Sequence, residues 1–156
     1  MAFDGIVIAN LVHDIRNKLE GGKINKIAQP EKDELLFTVK NNKETLRLSI
    51  SASASLPLVY FTETNKPSPL TAPNFCMLLR KHVQGAKIAA VSQPAVERMF
   101  TIELDTTDEM GVPCKKHLIC ELMGKHSNVI LCGEDNRIID ALRRVDGDLS
   151  GKRQVL

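Results

Sequence analysis

The sequence predicts an α+β domain, two antiparallel β-sheets packed face to face as a sandwich with two flanking helices. Three observations lead there. The hydrophobic period changes from helical to two and back again, so that two groups of strands are each introduced by a helix. The strands follow one another through short turn sequences, which favours antiparallel neighbours. A chain of 156 residues with 43% hydrophobic and 26% charged residues has ordinary globular composition, and it fits one domain, residues 1–156, able to bury a core without disulfides or metals.

The first helix is GIVIANLVHDIRNKL, capped by Asp4 and stopped by Gly21 and Gly22, with Ile8, Leu11, Val12, Ile15 and Leu19 on one stripe. Period two then runs through KINKIAQP, ELLFTVKN and ETLRLSISA, separated by turn chemistry at Pro30 to Asp33 and at Asn41 and Asn42, and continues into LPLVYFT. The proline-rich NKPSPLTAP breaks the pattern. It leads into a second amphipathic helix in NFCMLLRKHVQGAK, where Phe75, Leu78, Leu79 and Val83 share a face and Gly85 ends it. Strands return in KIAAVSQPA, RMFTIELDT, CKKHLICELM, SNVILCGED and RIIDALRRV.

Composition narrows the function. Twenty-one basic against 19 acidic residues give a net charge of +2, so any nucleic-acid contact is local rather than driven by a global field. The lack of Trp and the single Tyr argue against a base-stacking platform. Cys76, Cys114, Cys120 and Cys132 match no paired zinc spacing and read as small, mostly core residues of a reducing compartment. The N-terminal stretch is neither a signal peptide nor a membrane span, which implies a cytoplasmic protein with no membrane partner. No phosphate-binding glycine loop, nucleophile elbow or paired histidine motif is present, so the residues imply no enzyme, no metal and no cofactor.

Three polar groups admit more than one reading. Arg80, Lys81 and His82 are cations at the negative end of a helix, or an anion-binding cluster. Glu97 and Arg98 are a surface ion pair where a strand begins, or a guanidinium fork held for bidentate contact with phosphate or a base edge. Glu121, Leu122 and Met123 precede the polar run Gly124 to Asn128. That run is a simple turn, or the support of an exposed Glu121 that accepts from base amino groups beside a Met123 that packs on a base.

The segments FDGIVIANLVHDIRNKLEGGKINKIAQP, PSPLTAPNFCMLLRKHVQGAKI, Glu97 with Arg98, and ELMGKHSNVILCGEDNRIIDALRRV followed by GKRQVL occur in that order. Together they resemble the N-terminal domain of the bacterial RqcH proteins, also called fibronectin-binding protein A, of the NFACT family. The resemblance implies a longer parent protein, of which this chain is an excised domain. It also implies a fold similar to the N-terminal domain of formamidopyrimidine-DNA glycosylases but not their chemistry, because Ala2 and Phe3 stand where those enzymes carry a proline nucleophile and a glutamate.

What the resemblance implies about function is ribosome-associated quality control. The full-length protein binds large ribosomal subunits obstructed by peptidyl-tRNA and recruits alanyl-tRNA for C-terminal alanine tailing, with the N-terminal domain facing the anticodon arm of the alanine tRNA. By this resemblance Glu97, Arg98, Glu121, Leu122 and Met123 are tRNA-binding, and Lys125 lies near phosphate. Position 97 is Glu where the family has Asp, and position 122 is Leu where Ile is commoner. The competing reading is an adhesin-like module that binds fibronectin, although nothing in the sequence exports or anchors the chain.

Overall fold

The computed structural model describes residues 5–53, 57–63, 69–93, 98–122 and 127–143, without the side chains of 5–9, 57 and 58. The elements are α1 (Gly5–Leu19), β1 (Lys23–Glu31), β2 (Glu34–Asn41), β3 (Glu44–Ala52), β4 (Pro57–Phe61), α2 (Asn74–Val83), β5 (Lys87–Ser92), β6 (Met99–Thr107), β7 (Pro113–Glu121), β8 (Asn128–Cys132) and β9 (Ile138–Ala141). Every segment with a clear period became the element that its period implies, and the chain is α+β with an antiparallel sheet and two helices. Asp4, the expected cap of α1, lies outside the described residues.

Where the sequence predicts two sheets, the strands form one, in the order β4-β3-β2-β1-β5-β6-β7-β8-β9. The two strand groups are joined by β1 and β5, with Lys23 opposite Lys87. Gly21 and Gly22 make this possible. Gly21 takes a φ of 87°, a left-handed conformation suited to the helix stop. A β-carbon on Gly22 would lie 2.8 Å from Val39 Cγ1 and 3.0 Å from the Leu19 carbonyl, so only glycine lets the backbone pass there. The backbone of the two glycines then pairs with β5: the Gly21 amide donates to the Ile88 carbonyl at 2.9 Å, and the Ile88 amide donates to the Gly22 carbonyl at 2.8 Å.

Both helices cover one face of the sheet, each reaching the strand group that it does not introduce. α1 packs on β5 and β6 through Val12, Ile15 and Leu19, and α2 packs on β1 and β6 through Phe75, Cys76, Leu79 and Val83. They share a core with Phe37, Ile50, Phe100, Leu104, Leu118 and Leu131 from strands across the sheet. A smaller cluster of Ile130, Cys132, Ile138 and Ala141, joined by Ile119, occupies the other face of β7 to β9. The far edge folds back, since the Arg143 guanidinium donates to the Ala52 carbonyl at 2.7 Å and lies 3.4 Å from the Asp33 carboxylate.

Cys76, Cys120 and Cys132 are buried, as their apolar neighbours imply, and Cys114 is half-buried. Burial pushes the Cys76 and Cys120 thiols up from their ordinary range, only partly offset at Cys76 by the Arg80 guanidinium, so both stay protonated and poorly nucleophilic.

Candidate functional site

Of the residues singled out in the sequence, Arg98, Glu121 and Leu122 meet at the end of the sheet where β6 begins and β7 finishes. Met99 opposes Glu121 on the last rung of that pair, and Glu121 opposes Asn128 of β8. The pairing extends one residue further: the Leu122 amide donates to the Arg98 carbonyl at 2.9 Å. The backbones of Arg98, Glu121 and Leu122 are therefore fixed neighbours. Glu97, Met123 and Lys125 lie outside the described residues, as do Gly124 and His126.

Two expectations need correction. Glu121, read as an exposed acceptor, is only 7% exposed. It is interior to the sheet, flanked by Met99 on one side and Asn128 on the other, and side-chain alternation places it on the face of Ile119 and the smaller cluster. Leu122 is 0% exposed and belongs to the main core, so its side chain leaves the strand on the opposite face and is a packing group. Arg98 remains exposed. The charged group that this edge offers to solvent, among the described residues, is the guanidinium.

Beneath the edge the polar run has a structural part. The Asn128 amide donates to the Arg143 carbonyl at 3.0 Å, and its oxygen accepts from the Arg143 and Val129 amides at 2.9 Å each. The Leu142 amide donates to the Val129 carbonyl at 2.8 Å. Asn128 thus clamps the exit of β9 beside the edge, a role that its place after a glycine-containing run did not reveal.

The Arg80, Lys81 and His82 triplet does not act as a unit, because its three side chains go to different surroundings. Arg80 Nε donates to the Ile27 carbonyl at 2.8 Å, a structural tie between α2 and β1. Lys81 Nζ pairs with Glu109 Oε1 at 3.0 Å, and that hydrogen bond holds the Glu109 carboxyl below the usual range. His82, together with Gln84, Thr106, Asp108 and Lys116, lines a cavity of about 470 Å³ between the end of α2 and the β6–β7 hairpin. Lys116 is 8% exposed, its ammonium 3.8 Å from Cys114 Sγ. The alternation in CKKHLICE already places Lys116 with Leu118 and Cys120 on the inner face, a signal the sequence carried. This cavity is at the other end of β6 from Arg98, about 27 Å away at strand rise.

Burial lowers the His82 imidazole below its ordinary value, and the Lys116 and Lys81 cations push the same way. The folded state therefore resists a proton that the unfolded chain accepts near pH 6.5. Stability contributed by neutral His82 is present above that pH and is lost as pH falls through it. The fall in Tm from pH 7 to pH 5.5 is expected to be smaller in His82→Gln than in the wild type; an equal fall would remove His82 from the account.

The comparisons with known proteins agree with this architecture. The sequence matches the family of NFACT N-terminal and middle domains over residues 4–156. It is 34% identical to the Rqc2 homolog RqcH of Bacillus subtilis over 157 aligned residues, covering 100% of this chain and 28% of that protein. It is 28% identical to ribosome quality control complex subunit 2 of Saccharomyces cerevisiae over 135 residues, 86% of this chain and 12% of that one. Among solved structures, the N-terminal domain of fibronectin-binding protein PavA from Streptococcus pneumoniae superposes with a TM-score of 0.92 at 32% identity, covering 99% of this chain and 59% of that one. The N-terminal part of the fibronectin/fibrinogen-binding protein of Streptococcus suis gives 0.93 at 33% identity, covering 99% and 58%. The chain thus spans less than a third of the length of these curated relatives. No helix among the described residues is long and apolar enough to cross a membrane.

Proposed function

The chain belongs to the NFACT family, and from that premise we propose that it is the tRNA-facing module of a cytoplasmic, ribosome-associated quality control factor. In the full-length protein it meets the anticodon arm of alanine tRNA on large subunits obstructed by peptidyl-tRNA, in support of C-terminal alanine tailing. It acts by binding, and peptide transfer stays with the ribosome. The fold is read as one shared with the N-terminal domain of formamidopyrimidine-DNA glycosylases, without their nucleophile.

The observation that carries this reading is the exposed Arg98 locked by backbone pairing to Leu122 on a rigid sheet end. A planar guanidinium held at a fixed edge suits bidentate recognition of a base or phosphate, since its donors are already in fork geometry. The buried Glu121 and Leu122 fix that edge from both faces. Glu97, Met123 and Lys125 complete the proposed tRNA-binding set.

A second reading, fibronectin binding, is favoured by the names of the two superposing structures. Binding of alanine tRNA, an unrelated tRNA, duplex DNA of equal phosphate count and fibronectin, all at one salt concentration, separates the two. The proposal expects tRNA to bind above DNA and fibronectin, with alanine tRNA preferred. Equal binding of tRNA and DNA, or fibronectin alone, would contradict it.

A further inference from the structure

The register of the sheet places charges in a line across five consecutive strands. Lys40 of β2 opposes Lys23 of β1, Lys23 opposes Lys87 of β5, Lys87 opposes Asp105 of β6, and Asp105 opposes Lys115 of β7. Directly opposed residues share a face. All five are exposed, while their chain neighbours Val39, Ile24, Ile88, Leu104 and Lys116 are buried on the other side. At about 4.8 Å between strands the row is about 19 Å long. Lys26 adds a further exposed cation on β1.

This arrangement works against stability. Like charges directly opposite one another on neighbouring strands repel, and Lys23 has a lysine on either side. Ordinary sheet surfaces relieve this by interspersing carboxylates, but Asp105 separates only Lys87 from Lys115. Among the described residues none of the four ammonium groups lies within 4.0 Å of a carboxylate. A line of unneutralised cations on a rigid face is complementary to a regularly charged polyanion.

We infer that the outer face of the sheet is a second RNA-contacting surface, on which Lys40, Lys23, Lys87 and Lys115 track a phosphate backbone. The choice of RNA rests on the proposed function; the residues rest on the sheet register alone. The face is open and extended, which suits a polymer rather than a small anion, and the row holds no aromatic side chain on which bases would stack. It contacts backbone and carries no sequence preference. Counted along β6, Asp105 is seven residues from Arg98, about 23 Å at strand rise. Arg98, opposite Leu122, leaves β6 on the helix-covered face, so the row on the outer face is a backbone contact separate from the base-reading edge.

The test is titration of labelled tRNA and of a single-stranded uridine oligomer with the wild-type chain, Lys23→Gln/Lys87→Gln and Lys32→Gln/Arg137→Gln at salt concentrations from about 50 to 200 mM. The last variant removes the same charge from exposed positions off the row. Loss of the two row lysines is expected to flatten the slope of log affinity against log salt by about 1.4 for the oligomer, to weaken both RNAs alike, and not to lower Tm. An unchanged slope, an equal effect of the control variant, or no RNA binding at the lowest salt overturns the inference. Polyglutamate binding with the same dependence on the row lysines would overturn the assignment to RNA. Arg98→Ala reports on the other proposal separately, because it alters the preference between tRNAs and leaves the effect of the row lysines intact.

Discussion

Leu122→Ala is expected to lower stability by about 2–5 kcal/mol, the range for truncating a fully buried leucine, in which lost transfer free energy adds to the cavity left behind. Leu122 is inaccessible to solvent and packed in the main core, with its amide bound to Arg98. For a domain of this size each kcal/mol corresponds to roughly 2–4 °C in Tm. Leu122→Met, which nearly conserves volume, should cost less than about 1.5 kcal/mol. The two variants decide what the residue does. If Leu122→Ala weakens RNA binding without moving the denaturation midpoint, the side chain touches RNA and the packing assignment is wrong; a shifted midpoint with binding retained by Leu122→Met supports it.

Asn128→Ala should cost roughly 2–4 kcal/mol, because it strips partners from the Arg143 amide, the Arg143 carbonyl and the Val129 amide together. The damage should be local before it is global. Hydrogen exchange at the Arg143 amide is expected to accelerate more than at Leu104, whose strand is held on both sides by β5 and β7. Asn128→Asp keeps the acceptor but loses the donor to the Arg143 carbonyl and brings a second carboxylate beside buried Glu121, so it should not rescue. Unaltered protection at Arg143 would show that the clamp contributes little.

The elements were legible because their signals are local. Val12, Ile15 and Leu19 recur at helical spacing and are buried; MFTIELDTT alternates in burial, and Leu35, Phe37 and Val39 of ELLFTVKN recur at period two, and both segments form strands. The joining of two strand groups into one sheet was not legible. It depends on Gly21 and Gly22 meeting Ile88, backbone contacts between distant residues that no periodicity records. Glu121 was misjudged for a related reason. Alternation correctly sets it opposite to Cys120, but that face of β7 to β9 is itself buried, carrying Ile130, Cys132, Ile138 and Ala141, instead of being open to solvent. The lysine row exists only in register: the lysines lie far apart along the chain, and antiparallel pairing alone aligns them.

The edge around Arg98 is the centre of the functional account. The measurement that tests it most directly is binding of alanine tRNA and an unrelated tRNA by the wild-type chain, Arg98→Ala and Arg98→Lys, at two salt concentrations, with Tm as the folding control. The account predicts that Arg98→Ala loses about 1–3 kcal/mol of binding and the preference for alanine tRNA, with Tm unchanged. Arg98→Lys should keep the charge but not the fork, recovering affinity at low salt without the preference. Binding and preference that persist in Arg98→Ala, in a folded protein, would contradict the account.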